Sequence, residues 1–200
     1  MQKILVATTN KGKLREIKSI LNNFEILSLE DINCKIDVLE DGKTFKENAL
    51  KKAREISKAT NMNCIADDSG LCIDEFDGWP GIRTARFLGD NSTPEQRNDY
   101  ILNKMQGLEK QRRRAKHCVS IAYVGTDGKE IAVQAENNGY IADAPKGQNG
   151  FGFDVIFELE DGRTQAELSE KEKNNISSRR KALELLKEQL KRLHPLQDIR

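Results

Sequence analysis

The sequence has little of what would place it in several large classes of protein. It contains four cysteines, Cys34, Cys64, Cys72 and Cys118, and two histidines, His117 and His194. No cysteine pair has the C-x-x-C spacing, so a Cys/His zinc site is not expected, and free thiols in a reducing compartment fit best. Neither histidine stands beside a plausible nucleophile, which leaves Ser-His-Asp and Cys-His catalysis without support. Aromatic residues make up only 6% of the chain, and 33 basic against 32 acidic side chains leave a net charge of +1. No global field draws such a chain to nucleic acid or to an anionic membrane, so any affinity for phosphate has to be local. The basic run Gln111-Arg112-Arg113-Arg114-Ala115-Lys116 is therefore expected to be a solvated loop rather than a nucleic-acid contact. No stretch approaches the ~18 consecutive apolar residues of a membrane span, and the run Ile4 to Ala7 is far shorter than a signal-peptide core. The expectation is a cytoplasmic protein with no membrane partner. Prolines number four and no low-complexity tract occurs, which argues against disorder.

What is present is a polar, globular chain. Its 200 residues, 37% hydrophobic and 32% charged, suit a single domain over 1–200 with a core of its own. Lys3 to Thr8 reads as a short buried strand that passes through Asn10-Lys11-Gly12-Lys13 into a helix carrying Leu14, Ile17, Ile20 and Leu21. Thr44-Phe45-Lys46-Glu47 has the form of a capping box and opens a second helix along Ala49, Ala53, Ile56 and Ala59. Between the apolar pieces Ile65-Ala66 and Leu71 to Ile73, the tetrapeptide Asp67-Asp68-Ser69-Gly70 predicts a turn. Thr93-Pro94 predicts the cap and first residue of a third helix, with Ile101, Leu102 and Met105 as its buried stripe. Cys118 to Val124 and Glu130 to Gln134 read as strands of a hairpin turning at Thr126-Asp127-Gly128, and Phe153 to Glu158 as a further strand. Ile176, Leu183, Leu186, Leu190 and Leu193 mark one C-terminal helix that Pro195 ends, and Trp79-Pro80-Gly81 marks a rigid turn. The sum is an α/β fold with a mixed sheet.

Several of these segments hold groups suited to phosphate and metal chemistry. Thr8-Thr9-Asn10-Lys11-Gly12-Lys13 joins a strand to a helix N-terminus, where unpaired N–H groups and the helix dipole receive anions, although the spacing is not that of a P-loop and a plain polar turn fits equally well. Asp67-Asp68 offers adjacent carboxylates of the kind that hold Mg²⁺ together with substrate phosphates, with Glu40 and Asp41 as further oxygen donors; a hydrogen-bonded turn is the plain alternative. Gly150-Phe151-Gly152-Phe153-Asp154 puts a flat ring between glycines and ahead of a carboxylate, which suits stacking on a base and reading its edge, or else a core strand with a glycine bulge. Lys173 with Ser177-Ser178-Arg179-Arg180 supplies cations near the start of the last helix.

Read in order, TTNKGK, EDGKTFKENALKKA, ADDSGLCID, GWPGIRTARF, NGFGFDVIF and EKNNISSRRKAL resemble the successive signatures of the inosine triphosphate pyrophosphatase family over residues 8 to 183. The resemblance implies an elongated single α/β domain with a long mixed central sheet, two lobes with a nucleotide cleft between them, and a homodimer. It implies hydrolysis of deaminated purine nucleoside triphosphates (ITP, dITP, XTP) to the monophosphate and pyrophosphate, with Mg²⁺ as cofactor. Carried over residue by residue, it places Thr8, Thr9, Asn10, Lys11, Gly12 and Lys13 around the triphosphate with Lys52 approaching it. Glu40 and Asp68 would hold the metal, Asp68 would accept the proton, and Asp67 and Ser69 would flank it. Phe151 would stack on the base with Gly152 and Phe153 beside it and Asp154 at its edge, while Lys173, Ser178 and Arg179 would complete the pocket. The chain departs from the family pattern in three places: Ser178 stands where histidine is usual, Val155 where proline is, and Thr9 where glycine is frequent. Only the first touches the base pocket, and it makes a related pyrophosphatase with a different or relaxed base preference the chief alternative.

Overall fold

The computed structural model describes residues 2–193. Strands β1 (Lys3–Val6), β2 (Glu25–Ser28), β3 (Cys64–Ile73), β4 (Arg114–Val124), β5 (Glu130–Ile141) and β6 (Phe157–Glu158) form one six-stranded sheet in the order β2-β1-β3-β4-β5-β6. β1 pairs in parallel with both β2 and β3, whereas β5 and β6 are antiparallel, so the sheet is mixed as expected. The helices are α1 (Lys11–Ile20), α2 (Phe45–Thr60), α3 (Pro94–Lys104), α4 (Glu170–Ile176) and α5 (Ser178–Leu193). No helix among the described residues is long and apolar enough to cross a membrane.

The described residues divide into two compact units. One comprises those up to Asp68, Val119–Ala135 and those from Arg179 onward; the other comprises Ser69–Cys118 and Glu136–Ser178. In the first unit the alternation of strand side chains builds two cores. Ile4, Val6, Ile65, Val119, Ile121 and Tyr123 gather with Ile17 and Ile20 of α1 and with Leu183, Leu186 and Leu190 of α5. Leu5, Ala7, Cys64, Ala66, Ala122 and Val124 gather with Ala49, Ala53 and Ile56 of α2. The first unit is thus a helix–sheet–helix stack with α1 and α5 on one face and α2 on the other. The second unit packs Leu71 and Ile73 of β3, Ile101 and Met105 of α3, and Ile141, Phe153, Ile156 and Phe157 around its own core.

Local signals account for the helix starts. Asn10 caps α1 by accepting from the N–H groups of Gly12 and Lys13 at 2.9 and 3.1 Å. Thr44 accepts from the Glu47 N–H at 3.1 Å, and the Glu47 carboxylate takes the Lys43 N–H at 2.7 Å, so the box closes one residue earlier than its usual form. Thr93 and Gln96 form a full capping box with Pro94 in the first turn of α3. The β4–β5 hairpin turns through Gly125 to Lys129, with the Gly125 N–H on the Lys129 carbonyl at 2.8 Å.

Five sequence expectations need correction. Asp67-Asp68-Ser69-Gly70 lies inside the uninterrupted strand β3, not in a turn, because membership of a strand set between β1 and β4 in the sheet, with β1 paired at Cys64 and Ile65, overrides the local turn preference. The hairpin strands run further than Cys118 to Val124 and Glu130 to Gln134, β4 beginning at Arg114 and β5 reaching Ile141. The basic run is not a solvated loop: Arg113 is buried, with its guanidinium donating to the carbonyls of Ile141, Met105 and Ala142 at 2.7, 2.7 and 2.5 Å. Of the strand expected over Phe153 to Glu158 only Phe157–Glu158 forms, the rest being folded into turns. The C-terminal helix is two helices, with Ser177 extended between them at φ −63°, ψ 143°, and Ile176 belongs to the first of the pair. Pro195, expected to end the helix, lies outside the described residues. The edge strand β2 goes beyond the sequence expectations.

Candidate active site

Two groups of side chains bring the candidate residues together, one in each unit. In the first unit the two adjacent aspartates of β3 point to opposite faces of the sheet, as strand geometry requires. Asp67 faces α1 and α5. Its Oδ2 receives Lys13 Nζ at 3.0 Å and the Arg179 guanidinium at 3.3 Å, and Arg179 donates through its other terminal nitrogen to Glu16 at 2.6 Å. All of Glu16, Asp67 and Arg179 are buried, and the four side chains carry balanced charge. Burial pushes the Asp67 carboxyl up, but the charges of Lys13, Arg179 and Lys52 outweigh it and hold the group well below the usual carboxylate range. Burial likewise works against the Arg179 cation, and Asp67 and Glu16 more than restore it.

Asp68 faces α2, where it accepts a hydrogen bond from Asn48 Nδ2 at 2.9 Å. Its carboxyl is pushed up to about 6, first by burial and then by the nearby Glu40 carboxylate, against the lowering effects of the Asn48 bond, Lys52 and Lys13. Asn48 and Lys52 are one helical turn apart on α2, so both meet this face. Lys52 pairs with Glu40, and the fields of Asp67, Glu40 and Asp68 hold it charged in spite of its burial. Glu40 is placed by the same asparagine, because the Gly42 N–H donates to Asn48 Oδ1 at 2.8 Å. The approach is close enough that a Cβ at Gly42 would sit 2.7 Å from that oxygen, which accounts for glycine there. Asp41 is exposed and points elsewhere, pairing with half-buried Lys51 at 2.6 Å.

The β1–α1 junction contributes mainly through Lys13. Thr8 Oγ1 accepts from the Asn10 N–H at 3.2 Å, and Asn10 in turn takes the Gly12 and Lys13 N–H groups, so these side chains are committed to the cap. Thr9, Asn10 and Lys11 are exposed at its rim.

In the second unit the segment Gly150–Asp154 closes into a tight loop. Asp154 Oδ2 accepts from the Phe151 N–H and from Lys173 Nζ, each at 2.6 Å, with both Asp154 and Lys173 buried. A Cβ at Gly150 would fall 2.1 Å from the same carboxylate oxygen, and Gly150 and Gly152 both adopt left-handed φ, +79° and +65°. The Lys173 ammonium lies 4.5 Å from the centre of the half-buried Phe151 ring, a cation–π contact from α4. Asn98 of α3 donates to the Gly152 carbonyl at 3.1 Å and is 5% exposed. Phe153 is buried in this unit's core, Ser178 is buried at the start of α5, and Ser69 is half-buried on β3.

The structure therefore gathers Lys13, Glu40, Lys52, Asp67, Asp68 and Arg179 in one unit and Phe151, Gly152, Asp154 and Lys173 in the other. Glu16, Asn48 and Asn98 were missing from the sequence expectations. Each is a polar residue on the apolar stripe of a helix: Glu16 precedes Ile20 by four, Asn48 follows Phe45 by three, and Asn98 precedes Ile101 by three and Met105 by seven. Such interruptions are the signal that would have found them.

Glu40 and Asp68 suit a hard divalent cation. Both offer carboxylate oxygens, and burial, the main cause of the upward shift of Asp68, together with the Glu40 carboxylate, disfavours its anion, which a bound cation would stabilise. Among the described residues no group of three or more His, Cys, Asp or Glu side chains gathers as a metal site.

The model of the Ham1 family matches residues 4–189. A dITP/XTP pyrophosphatase of Geobacter sulfurreducens is 45% identical over 193 residues, covering 95% of this chain and 97% of that protein. A dITP/XTP pyrophosphatase of Bacillus subtilis is 40% identical over 190 residues, covering 93% and 96%. Among solved structures, the Staphylococcus aureus Ham1 protein superposes with a TM-score of 0.87 at 36% identity, covering 96% of this chain and all of that one. With its own family model, near full-length relatives and the same fold, the chain belongs to the Ham1 family.

Proposed function

We propose that the protein hydrolyses deaminated purine nucleoside triphosphates, dITP, ITP and XTP, to the monophosphate and pyrophosphate. The observation that carries this reading is Asp68, a buried carboxylate with a carboxyl near 6, set beside Glu40 and Lys52 and separated by one peptide from the oppositely facing Asp67. A pair of carboxylates whose environments push their proton affinities apart is the mark of divided acid–base roles. The relatives named dITP/XTP pyrophosphatase support the substrate class.

In this reading Lys13 and Lys52 bind the triphosphate oxygens and offset the charge that builds on departing pyrophosphate. Asp68 orients the attacking water and takes its proton as oxygen bonds to the α-phosphorus and the α–β bridging bond breaks; it is ionised at neutral pH yet more basic than an ordinary aspartate. Glu40 and Asp68 would hold Mg²⁺, which supplies charge neutralisation on the phosphates when bound. Asn48 fixes both carboxylates by bonding Asp68 and the Gly42 N–H. Asp67 keeps Lys13 and Arg179 in place without titrating near neutral pH. The base is assigned to the Phe151 ring of the second unit, with Gly152, Phe153, Asp154, Lys173 and Ser178 around it, and Arg179 of the first unit is assigned to the substrate as a further cationic donor. A cationic donor favours the 6-oxo group of hypoxanthine and xanthine over the 6-amino group of adenine, which would leave that donor unpaired. Thr8 to Gly12 frame the phosphate end, and Ser69 flanks Asp68. The reading extends to one catalytic domain over 1–200 acting as a homodimer on free nucleotides in the cytoplasm, which the family resemblance supports.

A turnover panel of ITP, dITP, XTP, GTP and ATP with Mg²⁺ tests this reading. Rapid release of monophosphate plus pyrophosphate from the deaminated purines, with ATP poor, is expected. Release of orthophosphate and a diphosphate, or equal use of ATP, would overturn it.

A further inference from the structure

None of the four cysteines takes part in the proposed chemistry, yet two of them touch. Cys72 near the end of β3 and Cys118 on the neighbouring strand β4 place their sulfurs 3.7 Å apart, with the Cys118 thiol donating to Cys72. Their exposure differs: Cys118 is buried at 4%, whereas Cys72 is half-buried. We propose that Cys72 and Cys118 form a thiol–disulfide exchange site, which takes oxidising equivalents from a low-molecular-weight disulfide and closes into a reversible cross-strand disulfide.

The geometry and the chemistry support the same order of events. The thiolate is the attacking form, and partial exposure is what admits a small disulfide to it. The hydrogen bond from Cys118 is the largest influence on Cys72 and draws its thiol below the ordinary value, with Lys116 adding to it, against burial and the carboxylates of Glu136 and Asp74. The same bond pushes the Cys118 thiol up, joined by burial and by the charge of Cys72. Cys72 is therefore the attacking sulfur and Cys118 the resolving one. In the first step the Cys72 thiolate attacks one sulfur of the small disulfide; a Cys72–S bond forms and the other half leaves as a thiolate. Cys72 is then neutral, so the charge that disfavoured ionisation of Cys118 is gone. Cys118 loses its proton to the departed thiolate and attacks Cys72 Sγ, expelling the second half. Two protein thiols and one small disulfide become one protein disulfide and two small thiols. Cys64 offers the internal contrast, since it is fully buried and its thiol is pushed up to about 12 by burial first.

The test uses the full-length, fully reduced protein equilibrated with oxidised glutathione, then acid-quenched, alkylated and measured by intact mass and by peptide mapping. The expected result is loss of two hydrogens with a Cys72–Cys118 linked peptide, reversed by excess reduced glutathione. Cys118→Ser should instead accumulate a glutathionyl adduct at Cys72, and Cys72→Ser should leave Cys118 alkylatable as a thiol. Circular dichroism of both variants separates exchange chemistry from misfolding. Cys72 and Cys118 both remaining alkylatable in folded wild-type protein, while Cys34 alone takes glutathione, would overturn the proposal. So would the same Cys72 adduct persisting in wild type without a linked peptide.

Discussion

The two faces of β3 in the first unit hold consecutive aspartates in opposite electrostatic conditions. On the α1–α5 face, Asp67 has two cations within 3.3 Å and a carboxyl held far below its usual range. On the α2 face, Asp68 bonds a neutral amide, and burial and the Glu40 carboxylate outweigh Lys52 and Lys13 to leave its carboxyl near 6. Both are buried, so burial alone does not separate them. The difference lies in which helix each face meets. A sequence reading sees a pair of acids; strand geometry turns the pair into a structural anion and a chemical one.

The largest effect is expected from Asp68→Asn. The side chain keeps its size but can no longer accept a proton, and turnover should fall by about 10²–10⁴-fold, the usual worth of a positioned general base. Steady-state pyrophosphate release measures the loss, and an unchanged thermal midpoint would locate the damage in chemistry rather than fold. Asp67→Asn should break the comparison from the other side. It leaves Lys13 and Arg179 short of a counter-charge in a buried setting, which costs about 3–5 kcal/mol of stability. Urea unfolding reads this directly, and a variant as stable as wild type would show that the α1–α5 face does not depend on that carboxylate.

Smaller effects sharpen the division. Lys13→Ala and Lys52→Ala should each lower kcat/KM for triphosphates by an amount equivalent to about 1.5–3 kcal/mol, the worth of a charged hydrogen bond. Unaltered kcat/KM in both would move the phosphate site elsewhere. In the second unit, Asn98→Ala removes one neutral hydrogen bond to the Gly152 carbonyl, about 1 kcal/mol. Because it acts through the Phe151 loop, KM for dITP should rise with kcat nearly constant, and equal loss in both parameters would contradict a positioning role. Smallest is Ser178→His, which should widen the preference for ITP over GTP because an imidazole has more reach and packing area than a hydroxyl. Parallel kcat/KM values for the two nucleotides decide it, and an unchanged or narrower margin would free Ser178 of responsibility for base selectivity.

Much of the frame was legible in the sequence because it is written in local chemistry. The cap at Asn10, the box beginning at Thr44, the Thr93-Pro94 start and the Gly128 turn are all set by residues within one turn of each other. What escaped was set by distant partners. Asp67-Asp68-Ser69-Gly70 has every local mark of a turn, and only its place in a ten-residue strand within the sheet makes it extended, with the cations from α1 and α5 then meeting Asp67. The expected strand at Phe153 bends because Asp154 turns back to bond Phe151 and Lys173. Arg113 was expected in solvent because its run is basic, yet three carbonyl oxygens brought together by the fold satisfy it in the interior. The candidate site divides the same way. Its motif-borne residues were visible, whereas Glu16, Asn48 and Asn98 each reach the site through a partner far away in the chain.

The most direct test of the central claim, that Asp68 delivers water to the α-phosphorus, is hydrolysis of dITP with Mg²⁺ in water enriched in heavy oxygen, followed by mass analysis of both products. The expected result is label in the deoxyinosine monophosphate and none in pyrophosphate, with the labelled product nearly abolished in Asp68→Asn. Label in pyrophosphate, or undiminished labelled monophosphate from that variant, would contradict it.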